Sequence, residues 1–261
     1  MSTNEEKKTI VIVATPNYKK YLYALLKSAK ANLIGRYDII IIHENLGSKI
    51  MAEASNIAGH RLKVSFLDFH NWPDVQLFGS LQEAPHYWRL IAPHIIDEGI
   101  KRVIYLDLDT LILDDLVELY SYDMHGKTIA ACVDYLKEMK DGVNNWQELE
   151  LDPSLPYFNS GMMLIDVERY KSLRIMEKVL KLVAENDDHL LAKGKWPQND
   201  QYGLNVALVG DWVALSQIYN YGSGLEYKQC KVLHFIGGGK PGVGNCRPEF
   251  TREFEKYSTT L

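Results

Sequence analysis

The chain is poor in cysteine: Cys132, Cys230 and Cys246 are odd in number, widely spaced and without a C-x-x-C pair among 261 residues. This excludes a disulfide framework, argues against a structural zinc site and predicts a reducing compartment. Long apolar runs are also missing. The N-terminal MSTNEEKK is charged and leads only into Ile10 to Ala14, too short for a signal h-region or a bilayer span. There is no marked excess of one charge, since 29 Lys plus Arg face 34 Asp plus Glu for a net charge of -5. Nothing therefore drives the whole chain toward nucleic acid or anionic lipid. The Lys7–Lys8 and Lys19–Lys20 pairs are too short and too diluted by acids to act as local patches. Repeats and low-complexity stretches are absent, and 46% hydrophobic residues is an ordinary globular composition.

What is present is an alternation of β-branched runs with amphipathic stretches: TIVIVAT (9–15), a helical pattern over 18–33, YDIIIIHE (37–44), SKIMAEASNIA (48–58) and LKVSFLDF (62–69). This predicts a β-α-β-α-β unit of a doubly wound, mostly parallel sheet flanked by helices. Further along, the pattern predicts a helix over 85–99 stopped by Gly99, a strand at 102–109 and a strand at 127–134. A long polar connector (135–156), a strand near 158–167, a helix over 168–185 and a helix at 199–209 follow. At this length one α/β domain over 1–261 is the expectation.

Two segments carry chemistry. In RVIYLDLD (102–109), Asp107 and Asp109 sit two apart at a strand end, so strand alternation would put both carboxylates on one face. Two such charges need a cation, and a divalent ion completed by phosphate oxygens suits the C-terminal edge of a parallel sheet, although Asp109 starting a turn is the simpler alternative. In HFIGGGKPG (234–242), His234 can ligate a manganese-type ion beside carboxylates. The amides of Gly237 to Gly239 can cradle phosphate oxygens, and Lys240 can neutralise them. A flexible turn with a core histidine is the alternative for this fragment alone.

Taken together, ATPNY (14–18), YWRLIAPHII (87–96), YLDLDTLIL (105–113), FNSGMMLID (158–166), NDQYGLN (199–205) and HFIGGGKPG (234–242) resemble glycosyltransferase family 8 in order and spacing. The resemblance implies a GT-A type, Rossmann-like α/β fold, a UDP-sugar donor, Mn2+ (or Mg2+) and retention at the anomeric carbon. It implies a nucleotide-binding half at about 9–134 and a sugar- and acceptor-binding half at about 135–261. Asp107 and Asp109 match the family D-x-D, with Leu108 between them beside the nucleotide; His234 matches the third metal ligand. Lys240 and Gly237 match the diphosphate loop. Ala14, Thr15, Asn17 and Tyr18 fall on the uridine loop, with Tyr18 the stacking ring, although the family often carries an acid where this chain has Thr15 or Pro16. Arg89 matches an arginine reaching the donor. Asn159, Asp200 and Gln201 match residues lining the transferred sugar, and Asp134 resembles an aspartate at the sugar or acceptor. Singly, Arg89 reads as a surface partner of Glu83 or Asp97, Asn159 as a turn residue and Asp200 as a helix N-terminal charge.

The expected reaction is hexosyl transfer, of glucose or galactose, to a hydroxyl of a glycan, a lipid-linked sugar or a protein. Same-face attack with Gln201 stabilising the oxocarbenium-like centre is preferred to a covalent route with Asp200 as nucleophile. Among five tryptophans, Trp146 is expected to contact acceptor. The alternatives are a self-glucosylating primer of the glycogenin kind and a haloacid dehalogenase-type phosphohydrolase, whose D-x-D-x-T loop DLDTL mimics with its threonine one place early. The basic aromatic tail of bacterial members and the N-terminal anchor of Golgi members have no counterpart here, so a cytoplasmic enzyme is expected, with neither nucleic-acid partner nor transmembrane segment. Association into a homodimer is compatible with this reading.

Overall fold

The computed structural model describes residues 7–186, 199–222, 229–243 and 245–258. It opens with β1 (Lys8–Ala14), α1 (Lys19–Asn32), β2 (Tyr37–His43), α2 (Ser48–Ala58) and β3 (Leu62–Asp68), close to the predicted bounds. β1 and β2 are buried on both faces, which is why they read as continuous Ile and Val runs rather than alternating ones. α1 buries Tyr21, Leu22, Leu25, Leu26 and Ala29 as a helical stripe and leaves its lysines outside.

The helix expected over 85–99 is instead a 3-10 segment, Pro85–His94. Pro93 within it has no N–H to donate, and Tyr87 to Pro93 are all buried, so the segment runs through the core rather than lying on it by one face. The Trp88 ring stacks on Phe69 at 4.5 Å. Gly99, at a φ of 88°, turns the chain before the next strand.

Then come β4 (Arg102–Leu106), β5 (Thr110–Ile112), α3 (Val117–Tyr120), β6 (Ile129–Glu138), α4 (Met139–Gly142), β7 (Pro156–Asp166), α5 (Val167–Ser172), α6 (Ile175–Glu185), α7 (Asn199–Ala207), β8 (Trp212–Leu215), β9 (Tyr221–Gly222), β10 (Val232–His234) and α8 (Pro248–Ser258). Three expectations change. The strand of 102–109 stops at Leu106: the Asp107 amide still meets the Gly161 carbonyl at 2.7 Å in the β4–β7 register, but Thr110 Oγ1 then closes a turn onto the Asp107 carbonyl and takes Leu108 and Asp109 out of the ladder. The helix of 168–185 breaks in two at Arg174, which sits in the left-handed region with φ 53°. The connector of 135–156 is in part ordered, as the end of β6 and as α4.

The main sheet has the order β3-β2-β1-β4-β7-β6-β8. All its neighbouring pairs are parallel except those of β7, which runs against both β4 and β6. One face packs on α1 and α2, through Leu22, Leu26 and Ile57 among others. The other packs on the 3-10 segment and α6, through Trp88, Val179 and Val183. A small second sheet, β5-β10-β9, folds over the C-terminal edge. Phe235, Phe250 and Phe254 pack it, with α8, against Tyr21 of α1. Among the described residues no helix is long and apolar enough to cross a membrane. Trp196 lies outside the described residues.

Candidate active site

The C-terminal ends of β1 and β4 open onto one edge of the sheet, where the chain leaves the ladder and its side chains are free of it. The turn after β4 carries Asp107 and Asp109, and β10 delivers His234 to them by pairing antiparallel with β5, His234 opposite Thr110. The Phe235 amide locks that approach onto the Asp109 carbonyl at 2.9 Å. Asp107 Oδ2 and Asp109 Oδ1 stand 3.7 and 3.4 Å from His234 Nε2. One ligand atom from each of Asp107, Asp109 and His234 lies within 4.8 Å of the others.

Gly161 of β7 is what lets this cluster close. A Cβ there would sit 2.3 Å from His234 Cε1, 2.8 Å from Asp107 Oδ2 and 2.9 Å from Asn159 Oδ1. Two carboxylates and one imidazole, converging over a position that tolerates no side chain, fit an intermediate ion such as Mn2+.

Lys240 Nζ contacts Asp109 Oδ2 at 3.0 Å and lies 5.6 Å from the centre of the Tyr18 ring. Its loop is tied to α1, since Lys20 Nζ and the Tyr21 hydroxyl both donate to the Pro241 carbonyl at 3.0 Å. Burial pushes the Asp109 carboxyl up, but His234 and Lys240 outweigh it and hold that group well below the usual carboxylate range. Burial likewise pulls His234 down, and Asp109 and Asp107 overcome it.

Beside this charged face lies a buried arginine. Arg89 Nη2 meets Asp107 Oδ1 at 3.1 Å and its Nε meets Asp200 Oδ2 at 3.0 Å. Its Nη1 donates to the Ser160 carbonyl at 3.0 Å, and its guanidinium lies 4.9 Å from the Tyr105 ring centre. The structure thus rejects the surface-partner reading of Arg89. Tyr105 donates to Asp107 Oδ1 at 2.8 Å.

Next to the arginine is an amide network. Asp134 Oδ2 accepts from Asn159 Nδ2 at 2.8 Å and from Gln201 Nε2 at 3.2 Å. Gln201 Oε1 takes the Ser160 amide at 3.0 Å. Asn205, fully buried, donates to the Phe158 and Gln201 carbonyls and accepts from the Phe158 amide, which fastens α7 to β7.

A family profile described as Glycosyl transferase family 8 matches residues 9–242. The chain belongs to this glycosyltransferase family. It is similar to General stress protein A of Bacillus subtilis, 27% identical over 95% of this chain and 92% of that one. Glycosyltransferase GlyF of Streptococcus pneumoniae is 28% identical over 90% of this chain, which spans only 57% of GlyF. Among solved structures, the galactosyltransferase LgtC, in complex with donor and acceptor sugar analogues, superposes with a TM-score of 0.77 at 19% identity, covering 97% of each chain. The fold of this family 8 glycosyltransferase is therefore of the GT-A type, and the phosphohydrolase alternative falls away.

Within that frame the structure brings Asp107, Asp109, His234, Lys240 and Arg89 together at one end, and Asp134, Asn159, Asp200 and Gln201 beside them. Ala14 is buried at the end of β1, whereas Asn17 and Tyr18 of the following 3-10 turn are exposed, Tyr18 by 42%. Thr15 is half-buried before that turn, Leu108 packs between the core on the α1 side of the sheet and the group of Phe235, Phe250 and Phe254, and Gly237 opens a 3-10 turn with φ 58°. Trp146 is half-buried and packs against Met139, Val143, Tyr157 and Tyr202, which gives its ring a packing role. Sequence reasoning missed Tyr105, Ser160, Gly161, Asn205 and Asn220. The first four stand inside quoted motifs, so their neighbours flagged them; Asn220 follows a three-residue 3-10 turn and carried no signal.

Proposed function

We propose that the enzyme is a metal-dependent, retaining hexosyltransferase that moves glucose or galactose from a UDP-sugar to a hydroxyl of a glycan, a lipid-linked sugar or a protein. The observation that carries this is the convergence of Asp107, Asp109 and His234 within 4.8 Å, with Lys240 on the same carboxylate. Cleavage of the sugar–phosphate bond leaves charge on the β-phosphate, and fixed positive charge at that point is the main catalytic term available. A bound Mn2+ or Mg2+ on the three ligands would supply Lewis-acid stabilisation of the diphosphate. Lys240 supports the same oxygens, and the amides of Gly237 to Gly239 form their cradle. UDP is a good enough leaving group that no separate general acid is required.

Ala14, Thr15, Asn17 and Tyr18 hold the uridine on this reading, with Tyr18 stacked on uracil. Leu108 and Asp109 face the nucleotide, and Arg89 orients Asp107 and Asp200 from behind. Asp134, Asn159, Asp200 and Gln201 surround the hexose. Asp200 is already committed to Arg89 at 3.0 Å, which makes it a poor nucleophile and favours same-face attack, with Gln201 steadying the oxocarbenium-like carbon and the departing phosphate oxygen accepting the acceptor proton. Residues 9–134 then serve the nucleotide and 135–261 the sugar and acceptor, the second half returning His234 and Lys240 to the diphosphate.

Slow transfer to water tests this without a known acceptor. Purified protein is expected to release UDP from UDP-glucose or UDP-galactose only when Mn2+ or Mg2+ is present. Asp109→Ala is expected to abolish release while the protein stays folded. Metal-independent release, or full turnover by Asp109→Ala, would sink the metal assignment.

A further inference from the structure

We infer that Asn220 is a positioning residue that fixes the proton on His234 Nδ1, leaving Nε2 to face the two aspartates as the ligand nitrogen, and transmits that choice from the sugar-facing amides. The inference rests on the proposed metal site. Asn220, buried to 3%, sits where the chain enters β9, beside β10, so the small sheet fixes it next to His234. Its Oδ1 lies 2.8 Å from His234 Nδ1, and its Nδ2 donates to Asn159 Oδ1 at 2.8 Å.

The direction of each bond follows from one end. The Asp134 carboxylate only accepts, so the Asn159 atom 2.8 Å from it must be the amide nitrogen. Asn159 then presents its oxygen the other way, where the Gly161 amide also donates to it at 2.9 Å. An oxygen there demands a donor from Asn220, so Asn220 turns Nδ2 toward Asn159 and Oδ1 toward His234. An oxygen facing Nδ1 in turn demands that Nδ1 carry the proton. Nε2 is then the nitrogen that can offer a lone pair when a metal occupies the Asp107–Asp109 cluster, as a metal ligand must. Asp134, Asn159, Asn220 and His234 are all at most 8% exposed. A buried amide turned the wrong way would leave two poles unpaired with little water to rescue them.

Two substitutions separate the arms. Asn220→Ala removes the acceptor at Nδ1 and the donor to Asn159. Asn220→Asp keeps an acceptor for Nδ1–H but offers Asn159 no donor. Mn2+ binding is measured without donor, from the free-Mn2+ electron paramagnetic resonance signal, with thermal unfolding and UDP-sugar hydrolysis followed alongside. Asn220→Ala is expected to weaken Mn2+ roughly 10- to 100-fold, the usual cost of losing a partner behind a ligand. Asn220→Asp is expected to keep Mn2+ affinity within a few fold, roughly, because a carboxylate also orients imidazole, yet to lower turnover at saturating metal. Wild-type affinity in a folded Asn220→Ala protein would overturn the role of Asn220 and leave the metal site standing. Equal loss of Mn2+ in both variants would overturn the polarity argument. Failure of the wild type to bind Mn2+ would overturn the metal site and this inference with it.

Discussion

Two faces of one site are held by different physics. The face of Asp107, Asp109, His234 and Lys240 is a balance of charges, whose members are kept in place by attraction and by a glycine that leaves them room. The face of Asp134, Asn159, Gln201 and Asn205 sets two amides on one carboxylate with a third fastening the backbone behind them, and is kept in place by the direction of each hydrogen bond. Coulomb attraction falls slowly with distance and depends little on angle, so the first face can take up a ligand and shift slightly without losing its partners. Amide bonds weaken steeply off-axis, so the second face holds its members in one orientation. Arg89 joins the faces, with Asp107 on one side and Asp200 on the other.

Breaking that joint should produce the largest effect. Arg89→Met leaves Asp107 and Asp200 without their buried cation, and the expected loss of stability is about 3–5 kcal/mol, read from denaturant unfolding. A loss near zero would mean that the two faces stand independently. Gly161→Ala comes next: the added methyl would press on His234 and Asp107 of one face and Asn159 of the other. About 1–3 kcal/mol of strain is expected, together with loss of Mn2+ binding. Mn2+ titration that matches wild type would show that the cluster has more room than its 2.3 Å approach allows.

Asn205→Ala sharpens the contrast, since it touches only the amide face. It strips partners from the buried Phe158 amide and carbonyl, at an expected cost of about 1–3 kcal/mol in unfolding free energy. Mn2+ affinity should not move; a weakened affinity would show that the faces are coupled more widely than through Arg89 and Asn220. The smallest structural effect is expected for Lys240→Ala on the charged face. Donor KM should rise or turnover fall, with the preferred sugar unchanged; a changed preference would move Lys240 to the hexose. Lys240 also helps to hold the Asp109 carboxyl below its ordinary 3.8. A carboxyl depressed in the folded state stabilises it above the unfolded value and loses that contribution as pH falls. Removing Lys240 lifts the folded value, so the contribution shrinks and acid unfolding should begin at a higher pH. An unchanged acid midpoint would show that His234 alone suffices.

The legible parts of the molecule were those with short-range causes. β1 through β3 with their helices declared themselves by periodicity and by brief connections, because each packs on its sequence neighbour. The D-x-D and the H-x-x-G-x-x-K-P segment announced themselves because their chemistry is written in adjacent residues. Pro85–His94 was misread as an α-helix because a segment buried on every side has no amphipathic stripe to betray its pitch. The strand end that delivers His234 was legible and is β10, whereas β9, of two residues, is too short to carry a pattern. Asn220 was invisible for the same reason: an asparagine after a short turn looks like loop chemistry until its two neighbours are known.

Residue order by itself therefore determined the α/β alternation, the parallel half of the sheet, the acidic pair, and the glycine–lysine loop, since each depends on burial and charge repeated along a few consecutive residues. Only the tertiary structure decided that β7 runs antiparallel between β4 and β6, that Gly161 makes space for His234, and that Arg89 is buried between two aspartates. It alone decided the polarity that runs from Asp134 to His234. Those features depend on which distant strands lie side by side, and a hydrogen bond acquires its direction only when both of its ends are in place.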